Sequence, residues 1–186
     1  MCWPTFAQNL WKPVKNASNV TVFTKQLPGK SYQSFMAVGY LHSTPAKVAA
    51  ILDDVTHYEQ WFAYLDSVEI LEVTADEKYV YLELDFPWPF ANEDMIFKVS
   101  LSESESGEKK YLLQGVPSFA PDRDGIRRMR DATGCFLLEQ EGAGTKLTFV
   151  MHMDLSGDIP PWLANKNIHF LPLKTLKNLA KISGKR

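Results

Sequence analysis

Hydrophobic and polar residues alternate along three segments of the chain, which is typical of strands that bury one face. The apolar face carries Val80, Leu82, Leu84 and Phe86 in the first segment, Met95, Phe97, Val99 and Leu101 in the second, and Leu147, Phe149, Met151 and Met153 in the third. The opposite faces are mostly polar. Because antiparallel sheets can cover one face and expose the other, the pattern predicts one antiparallel sheet.

Helical spacing and turn residues complete the predicted order of elements. Two strands are predicted at Val20 to Lys25 and Ser34 to Leu41, on either side of a Pro-Gly turn. A helix of about three turns is predicted from Pro45, because Thr44 is a good cap and apolar residues follow at helical spacing. The glycine-rich stretch at 142–146 predicts a hairpin turn rather than a phosphate loop.

A second helix is predicted from about Pro161 to Ile182, where Leu171, Leu176 and Leu179 recur among lysines. The apolar face of the sheet must be covered, and this is the longest remaining helical pattern. The prediction is an α+β fold in which one helix lies across a large curved sheet with space between them. The volume of that space does not follow from alternation.

The loop after the first alternating segment is rich in proline and aromatic residues. Pro87 and Pro89 cannot continue a sheet ladder, so the strand is expected to end near Pro87. The same prolines stiffen the backbone that carries Trp88 and Phe90. The two aromatic side chains could contact a ligand or a membrane, or they could pack into the end of the hydrophobic core.

Length and composition are those of one soluble domain. The chain has 186 residues, 45% hydrophobic and 23% charged, and no segment approaches the ~20 apolar residues that span a bilayer. We expect a single domain over residues 1–186. The start of the chain lacks the charged and apolar regions of a signal peptide, so the expected location is cytoplasmic; an exported protein whose leader has been removed would look the same.

Charge is unevenly distributed. No acidic residue follows Asp158, whereas the lysines and the arginine beyond it are Lys166, Lys174, Lys177, Lys181, Lys185 and Arg186. A basic helix could contact an anionic membrane transiently, or its lysines could form an ordinary solvated face.

The sequence lacks the residue patterns that several kinds of functional site require. The histidines are scattered, no cysteine pair has metal-binding spacing, and no Gly-x-Ser-x-Gly elbow is present, so no metal, cofactor or catalytic residue is predicted. An arginine cluster at 123–130 is interspersed with aspartates, and the net charge is −2, so a nucleic-acid partner is not expected.

A set of short motifs runs along the chain in a fixed order: Trp11, Asp53-Asp54 with Trp61, Pro87-Trp88-Pro89, Asp94, Gly125-Ile126-Arg127-Arg128, Asp154-Leu155-Ser156-Gly157, Ile159-Pro160-Pro161-Trp162 and Asn165. Their order resembles the START domain, the StAR-related lipid-transfer family of the SRPBCC superfamily, in its bacterial single-domain type. The resemblance covers about residues 11–182.

The resemblance implies a helix-grip fold, in which a curved antiparallel sheet wraps a long C-terminal helix around a hydrophobic cavity. It implies that the loop after the first alternating strand is a lid. The expected lid or gate residues are Pro87, Trp88, Pro89, Phe90 and Trp162. By alternation, the expected cavity lining is Leu82, Leu84, Phe86, Phe97, Val99, Leu147, Phe149, Met151, Met153 and Leu171, and the resemblance adds Arg128.

Two positions depart from the family pattern. Glu93 stands where the family usually has arginine, and Val99 stands where some cholesterol-binding relatives place a buried arginine. Arg128 does match a family arginine. It could bind a lipid phosphate or carboxylate, or it could form a structural ion pair with one of the acids.

The leading hypothesis is a monomer that binds a lipid or other hydrophobic small molecule as a carrier, transfer protein or sensor, without catalysis. An alternative is an enzyme like the cyclases and aromatases of the same superfamily, for which Arg128, Tyr111 and His152 are the candidate polar groups. A third is a regulator whose cavity ligand controls binding of another protein.

Overall fold

The architecture is that of a computed structural model, which describes residues 11–88, 92–155 and 160–184. The strands are β1 (Lys12–Ala17), β2 (Val20–Lys25), β3 (Ser34–Leu41), β4 (Leu65–Val73), β5 (Glu77–Leu84), β6 (Glu93–Glu103), β7 (Lys109–Gly115), β8 (Arg127–Arg128), β9 (Asp131–Glu141) and β10 (Gly144–Asp154). The helices are α1 (Pro45–Asp53), α2 (Pro161–Asn167) and α3 (Phe170–Ser183), with a 3₁₀ helix at Val55–Gln60.

The strands form one curved sheet in the order β1-β2-β3-β10-β9-β7-β6-β5-β4. Neighbouring strands along this path are antiparallel, and the short β8 adds a parallel pairing to β6. The strands predicted at Val20 to Lys25 and Ser34 to Leu41 are confirmed with those bounds. The predicted hairpin turn is also confirmed, because Gly142 and Ala143 alone separate β9 from β10 and Gly142 has φ of 58°.

The predicted α1 is present and begins as expected. The Thr44 side chain accepts a hydrogen bond from the Lys47 backbone N–H at 3.4 Å, and Pro45 occupies the first turn, where no N–H is required. The residue before this helix cap is hydrogen-bonded to the end of α3 and to the start of β10. The Ser43 hydroxyl donates to the carbonyl of Ser183 at 2.6 Å, and the Thr145 hydroxyl donates to the Ser43 carbonyl at 2.6 Å.

The C-terminal helix lies across the concave side of the sheet and packs against β2 and β3. Leu171, Leu176 and Leu179 are buried, as their spacing predicts. The approach is close at Gly39 of β3, where an added Cβ would lie only 3.2 Å from the Leu176 side chain. A glycine at this point therefore lets the helix sit against the sheet.

The prediction of one unbroken helix from Pro161 to Ile182 is wrong. The helical segment divides into α2 and α3, with Ile168 and His169 in a turn between them. Pro172 explains the break, because its ring lacks an N–H and would clash with the carbonyl four residues earlier in a continuous helix. At the third position of α3 the same proline is tolerated.

Two of the alternating segments differ in extent from the prediction. β5 ends at Leu84, so Phe86 lies in the loop beyond the strand, and Leu101 at the far end of β6 is 45% exposed. The outer face of β5 and β6 is also more buried than its sequence suggests. Tyr81 lies beneath the segment 116–126, with the Arg123 guanidinium 3.7 Å from its ring centre.

Candidate functional site

One end of the space between sheet and helices is filled by aromatic side chains. The rings of Phe136 and Phe149 stack with centroids 4.2 Å apart, and Trp61 meets Phe136 edge-on at 6.0 Å. Phe62 and Phe35 pack against Phe149 at 6.1 and 5.1 Å. These rings are at most 4% exposed, so this end of the interior is a packed core.

The other end holds a cavity of about 250 Å³. It lies where the beginning of β3 and the end of β10 face the α2–α3 segment and the loop after β5. The described residues that line it are Tyr32, Gln33, Phe35, Tyr64, Phe86, Pro87, Trp88, Met151, Met153, Leu155, Ala164, Asn165, Asn167, Ile168, Phe170 and Leu171. The wall is mostly apolar, with two tyrosine hydroxyls and three side-chain amides.

The structure brings some of the predicted site residues to this cavity and leaves others in the core. Phe86, Pro87, Trp88, Met151, Met153 and Leu171 line it. Leu82, Leu84, Phe97, Leu147 and Phe149 are buried in the core cluster, and Val99 packs against that cluster, all away from the cavity wall. Pro89 and Phe90 lie outside the described residues.

Trp88 and Trp162, two of the predicted gate residues, are highly exposed. Trp88 is 92% exposed although its edge borders the cavity. Trp162 is 68% exposed in the first turn of α2, the helix that supplies Ala164 and Asn165 to the wall. Phe170, at the start of α3, borders the cavity and is 50% exposed. Two large exposed aromatic side chains, Trp88 and Phe170, thus border the cavity, and Trp162 is exposed on the helix that supplies part of its wall.

The polar part of the wall was missed by strand alternation, because it comes from loops and from α2. Asn165, which belongs to the motif set above, fastens α2 to the loop before β3. Its Oδ1 accepts a hydrogen bond from the Gln33 backbone N–H at 2.8 Å, and its Nδ2 donates to the Ser31 carbonyl at 3.2 Å. The Asn167 side chain donates within α2, to the Leu163 carbonyl.

Tyr64 separates the cavity from a polar cleft. Its φ of 62° is unusual for a non-glycine residue, and its carbonyl accepts a hydrogen bond from the Asp85 N–H at 2.8 Å. Beyond its ring lies a cleft that contains Glu59, Asp66, Asp85 and Lys174. The Lys174 ammonium stands 4.5 Å from the Tyr64 ring centre. The cleft therefore carries three carboxylates against one ammonium.

Arg128 lies away from the cavity, in a buried ion pair. Its Nε and Nη2 donate to the two carboxylate oxygens of Asp94, and the Nη2 distance is 3.0 Å. Nη1 donates to the carbonyls of Pro117 and Ala120 at 2.7 and 3.1 Å, and Nη2 also donates to Pro121 at 3.2 Å. All its donors are engaged, so the structure supports the ion-pair alternative over ligand binding.

Few titratable groups reach the cavity. Among the lining residues that the structure describes, only two tyrosines carry an ionisable side chain, and burial raises the pKa of one of them, Tyr32. His152 is buried in β10 with its Nδ1 3.3 Å from the Ser34 hydroxyl, and burial lowers its pKa, but it does not line the cavity. Tyr111 bonds to the Ala49 carbonyl within the core. The wall can bind and orient a ligand, but it offers little for acid–base catalysis.

The described ranges contain neither a metal-binding cluster nor a membrane-spanning helix. No group of three or more histidine, cysteine, aspartate or glutamate side chains has the geometry to hold a metal ion there. Within the same ranges, every helix is too short or too polar to cross a bilayer.

Comparisons with known proteins agree with this geometry. The START domain family model matches residues 4–185. A solved StAR-related lipid transfer protein from Xanthomonas axonopodis is 28% identical, with a TM-score of 0.88 over 95% of this chain and 99% of that one. The human phosphatidylcholine transfer protein is 23% identical over 87% of this chain and 78% of its own.

A third similarity concerns the fold alone. An aromatase/cyclase from a Streptomyces species superposes with a TM-score of 0.55 at 16% identity, over 81% of this chain and 92% of that one. Together with the ten-stranded sheet and the C-terminal helix, the comparisons confirm the predicted family and the helix-grip α+β fold.

Proposed function

Because the chain belongs to the START domain family, we propose that it binds one lipid or other hydrophobic small molecule in the cavity, as a carrier, transfer protein or sensor. The observation that supports this most directly is the cavity itself. An apolar space of about 250 Å³ persists beside a core that is otherwise closely filled. A concave, mostly apolar space that is partly open to solvent and carries a few polar groups is typical of small-molecule binding sites.

Apolar burial would supply most of the binding energy. At about 0.8 kcal/mol per buried CH₂ group, a ligand of about ten carbons gains ~8 kcal/mol, from which at least ~4 kcal/mol of association cost must be subtracted. The expected affinity is therefore modest, and selectivity must come from the size of the cavity and from its few polar groups.

Native mass spectrometry of the freshly purified protein tests the proposal. We expect a bound mass, near one per chain, that leaves on unfolding and that solvent extraction then identifies. The Ala164→Trp variant should lose this mass, because the new ring projects into the cavity from α2. Lys166→Trp is the matched control, since it adds the same side chain to the exposed side of the same helix.

The two variants give a clear contrast if both are folded by circular dichroism. Loss of the bound mass in Ala164→Trp alone would support binding in the cavity. Equal occupancy in both variants would contradict it. A vesicle-to-vesicle transfer assay with the extracted molecule then distinguishes a transfer protein, which accelerates exchange, from a sensor, which does not.

We also propose a transient contact with anionic membranes through the cavity mouth. The exposed rings of Trp88, Trp162 and Phe170 suit the interface of a bilayer, where aromatic side chains are stable. Exposed lysines at positions 166, 174, 177 and 181 lie on the same two helices, and α2 and α3 contain no acidic residue in the described range. The mouth would then face the membrane during loading.

No observation on the described residues favours the cyclase-type alternative. The side chains of Arg128 and Tyr111 form hydrogen bonds within the protein, to Asp94 and to the Ala49 carbonyl. His152 does not line the cavity.

A further inference from the structure

The cavity wall contains no charged side chain among the described residues. Its polar atoms belong to Tyr32, Gln33, Tyr64, Asn165 and Asn167. The sequence outside the described ranges adds no cation before the last two residues, because residues 1–10, 89–91 and 156–159 contain neither lysine nor arginine. A ligand phosphate or carboxylate in the cavity would therefore meet no positively charged side chain in the described part of the wall.

The cleft next to the cavity contains a cation, but its surroundings are unfavourable to an anion. Lys174 lies on the far side of the Tyr64 ring, in the cleft with Glu59, Asp66 and Asp85. An anionic group that passed Tyr64 would meet three carboxylates and one ammonium. Arg128 cannot bind such an anion either, because all its N–H groups donate to Asp94 or to backbone carbonyls.

The size of the cavity sets a second limit. An engineered apolar cavity of ~150 Å³ holds benzene, which corresponds to roughly 25 Å³ per carbon atom. At that ratio, a cavity of about 250 Å³ accommodates on the order of ten carbons. One medium-length chain or a pair of fused rings fits this volume. A ligand with longer chains would extend beyond the cavity through its open side.

We infer that the ligand is an uncharged amphiphile that places about ten carbons in the cavity and presents a hydroxyl or amide to its polar wall. This inference rests on the proposed function and narrows it. Side-chain amides such as those of Gln33 and Asn167 can both donate and accept hydrogen bonds, which suits a neutral polar group. A buried carboxylate would be desolvated without compensation.

Two probes with the same chain and different head groups test this inference. We would measure binding of 1-decanol and of decanoate by isothermal titration calorimetry at pH 8, below the concentration at which decanoate forms micelles. Decanol should bind at least tenfold more tightly. Lowering the pH from 8 to 6 should strengthen decanoate binding by about tenfold per unit, because only its protonated form is accepted, and should leave decanol binding unchanged.

A charge introduced into the wall provides the reciprocal test. Gln33→Lys places an ammonium at a half-buried position of the lining and should reverse the preference toward decanoate. Gln33→Met, of similar length and without charge, should keep the preference for decanol. Ala164→Trp should abolish binding of both probes, which would locate them in the cavity.

The outcomes separate a failure of this inference from a failure of the proposed function. Decanoate binding at pH 8 as tightly as decanol, with no dependence on pH, would overturn the inference and leave the proposed function intact. Binding of neither probe, in a folded protein that carries no extractable molecule, would overturn both.

Discussion

Asp94→Asn should destabilise the protein strongly while leaving ligand binding intact. Asp94 is fully buried on β6, and Arg128 is 1% exposed on β8, with two hydrogen bonds between the guanidinium and the carboxylate. The substitution keeps the shape of the side chain and removes its charge. The guanidinium then remains buried without its principal counter-ion.

The expected magnitude follows from the burial of the pair. Removing one partner of a buried ion pair costs about 3–5 kcal/mol, because the other charge stays desolvated. Asp122 lies 3.8 Å from the Arg128 Nη1 but is half exposed, so it compensates little. We expect a loss of about 3 kcal/mol in the free energy of unfolding, the low end of this range. With a urea m-value of about 2 kcal/mol/M, this loss lowers the unfolding midpoint by ~1.5 M.

Urea unfolding, followed by circular dichroism, measures this midpoint. Arg130→Gln is the matched control, because Arg130 pairs with Asp122 on the surface, where both side chains are more than half exposed. Such exposed pairs contribute about 0–1 kcal/mol, so this midpoint should hardly move. The reasoning would be refuted if Asp94→Asn lost less than 1 kcal/mol. Loss of ligand by a variant of unchanged stability would place Arg128 in the binding site instead.

Three other predictions concern pH, membrane contact and entry. Burial lowers the pKa of His152 in the folded protein below its ordinary value of 6.5, so the unfolded chain binds a proton more readily. The free energy of unfolding should therefore fall as the pH drops below about 6.5. His152→Gln should reduce this pH dependence, measured as urea midpoints between about pH 7.5 and 5. Alanine at Trp88, Trp162 or Phe170 should reduce the fraction of protein that sediments with anionic vesicles. Vesicle binding that does not depend on salt concentration or on the content of anionic lipid would exclude the proposed membrane contact. Asn165→Ala removes the two hydrogen bonds that hold α2 to the loop before β3, so ligand release in stopped-flow displacement should become faster without a comparable loss of stability. An unchanged rate would show that these bonds do not control release.

The sheet and α1 could be predicted because local patterns determine them. β2 and β3 match their predicted bounds, and Thr44 with Pro45 marks the start of α1. The break between α2 and α3 was missed although its cause, Pro172, is visible in the sequence, because the amphipathic spacing of the leucines continues across it. The burial of Tyr81 could not be predicted, since the segment that covers it is distant in sequence.

The site was predicted less completely than the fold. Alternation identifies which side chains face the interior, and Met151 and Phe149 do share that face. It does not say how far along a strand the interior is filled, so Met151 borders the cavity whereas Phe149 belongs to the aromatic core. The role of Arg128 also required the structure, because its partner Asp94 is one of many acids in the sequence.

The division of the interior into cavity and core is set by side chains. Phe35 belongs to both parts, since it lines the cavity and meets Phe149 at 5.1 Å. Met151 and Leu171 also line the cavity and belong to the core cluster. Because the rings of Trp61, Phe136 and Phe149 support one another in a packed cluster, shortening any one would create a void that neighbouring rings cannot readily fill. The same packing that stabilises the domain thus closes the inner end of the cavity.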